Sequence, residues 1–327
     1  MKQIDIFNAE DNVLIFGIRN PIDEIEDITK IPEFGPPITH SRLMMYDLEN
    51  DTLSEILKFK EPTQCYDLLI KDQDIIITYS THKDDMENLD ILNVNCHIGK
   101  IKEDEIIDID SFIANLYYNI PYLTIINDNI YYSYDKKVGD REVFGINKIL
   151  DEEYINIVEY EEFKLLNSTI SSNGKEMMLF VDEGKQAFFY IFNEEGFLFK
   201  KPLDLNKRVF AYNLLSDGII ISCEEKDSDK YYIEFFNFKS DEIIQKHIGP
   251  IYNMVGNSHK DCMAIGESFN LNYIRVTNNE IINTYIDIHN EIAQSTANAI
   301  RVYSNNKNIY GVYFEDLGIY ANIIVGQ

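Results

Sequence analysis

Short apolar runs of five to seven residues, each closed by a polar turn, recur through this chain in a fixed order, and no other feature restricts its fold as strongly. Stretches such as DIIITYSTHKDD, DNIYYSYDKK, KEMMLFVDEGK, GIIISCEEKDSD and NIYGVYFEDLG are rich in β-branched and aromatic residues and bounded by Asp, Asn, Gly, Ser or Lys. Runs of that length and punctuation are strands joined by hairpins, too short for helices. Four such runs make a unit: a strand ending in a polar turn, an apolar strand, a third strand often closing on an aromatic plus Asp or Asn, and a more polar fourth. Units begin near Gln3, Gln64, Asn115, Leu165, Arg208, Ile251 and Ala299, at spacings of 61, 51, 50, 43, 43 and 48 residues. Repeats of roughly 40 to 50 residues with four strands each are the period of propeller blades. A sandwich needs fewer strands and no such repeat.

With 327 residues the chain can form one large all-β domain, 1–327, and the first, longest unit holds an insertion at 20–40. Tyr (22) and Phe (19) are abundant and Trp is absent, a mix that favours strands. The third-strand endings Tyr46-Asp47, Phe192-Asn193 and Phe236-Asn237, and the turns Ser172-Asn173-Gly174 and Ser216-Asp217-Gly218, carry a likeness to a known architecture. In these, and in its repeat, the chain resembles the β-propeller superfold of WD40, Kelch and NHL-type proteins. The resemblance implies about seven four-stranded blades; six and eight also fit. It departs from WD40 in lacking Trp and any Gly-His dipeptide, and from Kelch in lacking the double glycine, so no family residues carry over. The seventh unit has three strands. Either the last blade is three-stranded, or Met1 to Phe7 closes it. One helix is expected, His289 to Ala299.

The 29 Lys and Arg against 56 Asp and Glu give a net charge of −27. Such a surface repels nucleic-acid phosphates and anionic lipid, and it suits a basic protein partner. The N-terminus has no secretory pattern, no run reaches transmembrane length, and Cys65, Cys96, Cys223 and Cys262 form no C-x-x-C pair. A cytoplasmic monomer with buried thiols is the expectation.

Loops after the second strand share a face with the blade-to-blade links, and candidate contact residues lie there. Glu33, Phe34 and Pro36 sit at the proline-stiffened tip of the insertion, with His40 at its end. His82, Asp84 and Asp85 lie in the equivalent loop of unit two; with His40 they offer imidazole and carboxylates to a cation, at spacings matching no metal motif. Asp135 and Arg141 belong to a charged hairpin on the same face. The acids of 151–162, with Asp104, Glu105, Asp108 and Asp110, form an acidic rim that keeps sheet edges apart or docks a basic partner. No G-x-S-x-G, P-loop, H-E-x-x-H or G-x-G-x-x-G is present, and nothing calls for a cofactor. The leading expectation is therefore a non-enzymatic interaction propeller. A metal-dependent hydrolase or lyase with a channel site, and an acidic neutralising protein for a basic toxin, are the alternatives.

Overall fold

The computed structural model describes residues 4–10, 13–20, 39–72, 74–81, 93–115, 121–139, 141–161, 163–256, 260–266, 270–277, 280–286, 300–306, 309–314 and 319–324. Among these the chain forms 26 strands and no helix. The helix expected over 289–299 lies outside the described residues. Each strand pairs in the main with its neighbours in sequence, so the units become sheets in chain order.

Unit one is β1 (Ile4–Glu10), β2 (Val13–Arg19), β3 (His40–Asp47) and the first half of β4 (Thr52–Lys71). Unit two is the second half of β4, then β5 (Asp74–Thr81), β6 (Asn93–Lys102) and β7 (Glu105–Asn115). Unit three is β8 (Leu123–Ile126), β9 (Asn129–Val138), β10 (Arg141–Leu150) and β11 (Glu153–Tyr160). These eleven strands hydrogen-bond as one sheet, because β4 pairs with β3 at one end and β5 at the other, and Ala114 of β7 meets Lys136 of β9. Separate four-stranded sheets follow: β12 (Lys164–Ser172), β13 (Met177–Asp182), β14 (Ala187–Asn193) and β15 (Gly196–Pro202); β16 (Lys207–Leu215), β17 (Gly218–Glu225), β18 (Tyr231–Asn237) and β19 (Ile243–His247); β20 (Ile251–Gly256), β21 (Asp261–Gly266), β22 (Leu271–Val276) and β23 (Ile281–Ile286). The last sheet is β24 (Ile300–Asn306), β25 (Ile309–Phe314) and β26 (Ile319–Ile324). By contacts the chain divides into two compact units, one of 1–8, 12–170 and 179–199, the other of 9–11, 171–178 and 200–327.

Burial explains the sequence pattern. Second strands are covered on both faces: β17, GIIISCEE, is buried from Gly218 to Cys223. A strand enclosed on both faces reads as a continuous apolar run. Fourth strands are half-solvated, and β19, IIQKH, alternates exposed with partly buried residues. The aromatic–Asx endings are strand terminators. Asp47 Oδ1 accepts the Glu49 and Asn50 N–H groups, Asn193 Oδ1 that of Glu195, and Asn237 Oδ1 those of Lys239 and Ser240. These are Asx turns, which end a strand by giving the backbone a local acceptor.

The core lies in seams between consecutive units. One cluster joins Ile15, Leu43 and Leu57 to Cys65, Leu68 and Ile77; another joins Ile220, Ile233 and Phe235 to Met254, Cys262 and Ile274. Four seams are also pinned by a side chain accepting an N–H from the next unit's first strand. His40 Nδ1 accepts Cys65 N–H (3.3 Å), Asp67 Oδ2 accepts Leu123 N–H (2.8 Å), Ser171 Oγ accepts Leu214 N–H (2.7 Å) and Ser222 Oγ accepts Ile251 N–H (3.3 Å). First strands come close enough that a Cβ at Gly256 would run into the Asn213 amide and the Leu215 side chain. Gly256→Ala is expected to destabilise by about 1–3 kcal/mol, as overpacking does, read as a lower urea midpoint.

Candidate partner-binding site

Among the described residues, four first strands carry one extra residue; in β24 it is Asn305, and in the other three it is aromatic. The registers β4–β5, β16–β17 and β20–β21 shift by one at Tyr66, Phe210 and Tyr252. A bulge breaks the ladder and re-aims its side chain. Tyr66 turns its hydroxyl to Ser80 Oγ (2.7 Å). Phe210 and Tyr252 meet edge to face, with ring centroids 6.0 Å apart. Tyr231 lies 5.9 Å from Phe210, and the Arg208 guanidinium sits 5.2 Å over the Phe210 ring. Arg208 and Tyr231 stand directly across from Glu224 on either side. Burial first, then the charge of Glu224 and a hydrogen bond to it, raises the Tyr231 hydroxyl above its ordinary range. This group lies where β16 and β18 begin and β17 ends, beside the link into β20. Tyr252 is 54% exposed and Arg208 is exposed. The result is an aromatic surface flanked by the Arg208 guanidinium and the Glu224 carboxylate.

The sequence candidates fare differently. Glu33, Phe34, Pro36, His82, Asp84 and Asp85 lie outside the described residues. His40 is the first residue of β3, is 2% exposed, and is held at both nitrogens. Nε2 lies 2.9 Å from Asp5 Oδ2, and Nδ1 takes the Cys65 N–H. Since Nδ1 accepts, the ring proton sits on Nε2 and is donated to Asp5. Such a ring pins a seam and does not face a partner. Arg141 is exposed and paired with Glu161.

Asp135 is buried on β9. Burial, with repulsion from Glu142 and partial relief from Lys164, pushes its carboxyl up to about 7. Burial likewise lifts Asp67 to about 7 against the pull of the Leu123 and Leu68 N–H groups. The folded chain keeps these protons to about pH 7, whereas the unfolded chain releases them near 3.8. Stability contributed here is thus lost as pH rises between those values. The urea midpoint is expected to be lower at pH 8 than at pH 5, and Asp135→Asn to flatten part of that difference.

The acids read as a rim are largely engaged. Asp110 accepts from Tyr132 (2.5 Å), and Glu159 accepts from Tyr134 (2.6 Å) and Lys136 (3.0 Å). Lys60 reaches Glu105 (2.8 Å), Lys100 reaches Asp151 (2.9 Å), and Lys102 pairs with Glu152. They hold strands and sheets together.

No family model and no curated protein matches the chain. Solved structures do. KlHsv2 with loop 6CD replaced by a Gly-Ser linker is 13% identical at a TM-score of 0.58, over 98% of this chain and 92% of that one. A chain of the Mitotic Checkpoint Complex is 10% identical at 0.56, over 98% and 89%. Acylaminoacyl peptidase of Pyrococcus horikoshii is 12% identical at 0.51, over 95% of this chain and 57% of that one. The fold is a β-propeller. At these identities the likeness concerns fold alone, and the functional argument returns to the residues of the blades.

Proposed function

We propose that this chain is a non-enzymatic interaction propeller that presents the link-bearing end of its blades to a protein partner. The observation that carries the proposal is the cluster of Arg208, Phe210, Tyr231 and Tyr252, with two of its rings set on bulges. Tyr, Phe and Arg are the residue types enriched where protein interfaces bury most. Rings already ordered by one another, on strands of a packed sheet, lose little freedom on binding. One propeller of similar fold was solved within an assembly, the Mitotic Checkpoint Complex. The net charge of −27 favours a basic partner at long range. Cysteines 65, 96, 223 and 262 are free and buried, which suits a reducing compartment, and we place the protein in the cytoplasm as a monomer.

The test is affinity capture of the tagged full chain from its native lysate, at low and raised salt, beside the Phe210→Ala/Tyr252→Ala double variant. A stoichiometric protein held by the wild type and lost from the variant is the expected result. Equal capture by both would remove the cluster from the reading.

A further inference from the structure

Several aromatic rings of this protein carry a cation from the chain itself. Lys136 Nζ lies 4.6 Å over the Tyr134 ring, Lys201 Nζ 3.4 Å over Phe236, and the Arg208 guanidinium 5.2 Å over Phe210. Tyr252 is 54% exposed and meets Phe210 edge to face, yet among the described residues no cation lies over it. Carboxylates stand close by. Arg208, Glu224 and Tyr231 are direct cross-strand neighbours on β16, β17 and β18, so they share one face. The Tyr231 hydroxyl is hydrogen-bonded to Glu224, and Asp229 and the Tyr252 hydroxyl also act on it. An open, electron-rich ring face beside carboxylates, on a chain of net charge −27, is a place for a cation.

We propose, resting on the reading of this cluster as the partner surface, that it receives an arginine of the partner, stacked on Tyr252 and hydrogen-bonded to Glu224. A guanidinium is flat, so one face covers a ring while its edge donates in plane to a carboxylate. A lysine ammonium is a compact point charge and has no flat face to lay on the ring. The chain holds its own example, since Arg208 lies over Phe210 and directly across from Glu224. A purely apolar occupant would cover Glu224 without giving its charge a partner, and an acidic one would be repelled by it. A second copy is disfavoured because each copy carries −27.

The experiment is NMR of the full chain with isotope-labelled tyrosine rings, the Tyr252 signal being assigned from Tyr252→Phe. The probes are a short glycine–serine peptide carrying a single arginine and its counterparts carrying lysine or citrulline. The arginine peptide is expected to shift the Tyr252 signal saturably and leave Tyr285 in place, with a Kd roughly tenfold below that of the lysine peptide. Citrulline keeps the flat shape without the charge and is expected to leave Tyr252 unmoved. Glu224→Gln keeps the rings and is expected to raise the Kd for the arginine peptide roughly tenfold. The proposal is overturned if the arginine peptide leaves Tyr252 unmoved, if lysine or citrulline binds equally well, if Glu224→Gln changes nothing, or if a second copy covers Tyr252 in a dimer. The two readings fail differently. Partner capture lost from Phe210→Ala/Tyr252→Ala without arginine binding keeps the partner surface and overturns the arginine. Arginine binding with capture unchanged keeps the arginine site and overturns the partner surface.

Discussion

Asp5→Ala is expected to cost about 3–5 kcal/mol, the range for removing one member of a buried, hydrogen-bonded charge group. Asp5 is buried and accepts two donors from Arg19 and one from His40. Burial pushes its carboxyl up, but the hydrogen bonds from Arg19 and His40 and the charge of Arg19 together outweigh that and hold it well below the usual carboxylate range. Alanine leaves the Arg19 charge without its partner and His40 Nε2–H without an acceptor. Because His40 also holds the Cys65 N–H, the loss spreads into the next unit. The ring is tightly housed: a Cβ at Gly17 would lie 2.5 Å from His40 Cδ2. A lowered carboxyl contributes stability that is present above its unfolded value of 3.8 and lost as pH falls through the folded one. The wild-type advantage over Asp5→Ala should therefore be full at pH 7 and shrink in acid. Urea denaturation at pH 7 and pH 3 checks both parts. A difference below about 1 kcal/mol at pH 7 would show the group to be worth no more than a surface pair.

Tyr252→Ala is expected to weaken partner binding by about 2 kcal/mol, roughly 30-fold in Kd. The ring is over half exposed in the free chain, yet Phe210 and Arg208 fix its surroundings, so a partner covering it gains apolar area at little ordering cost. For the same reason its removal should leave thermal stability nearly unchanged. Tyr285, 65% exposed on β23, supplies the matched control. Its replacement by alanine removes the same chemistry away from the cluster and should leave Kd as it was. Calorimetry on the three proteins, with the partner recovered by capture, compares them. Equal losses from Tyr252→Ala and Tyr285→Ala would indicate a general effect of surface apolar area.

The repeat was legible because its signal is physical and local. Second strands buried on both faces must be apolar throughout, as GIIISCEE is, and third strands close on an Asx turn that Asp47, Asn193 and Asn237 announce. The continuity of β4 was not legible. Pro62 reads as a break, but the β3 register jumps from Lys58 to Thr63, so the proline falls where the ladder needs no N–H. In unit two the last hairpin lies at Glu103-Asp104, with Glu103 at φ 51, and β6 runs from Asn93 to Lys102 before it. Ile98 and Gly99 simply continue the strand. His40 looked like a loop residue because Asp5, the partner that turns it inward, is 35 positions away. The aromatic cluster was missed for the opposite reason. Phe210 and Tyr252 look like ordinary strand residues, and only an aromatic recurring at Tyr66, Phe210 and Tyr252, each at a bulge, marks them.

The most direct test of the interaction account is a footprint of the captured complex by hydrogen–deuterium exchange and tyrosine modification. The account predicts protection over 207–212, 231–232 and 251–253, with Tyr252 shielded from modification and Tyr285 still reactive. Protection confined to the acidic strands β7 and β11, with Tyr252 as reactive as in the free chain, would contradict it.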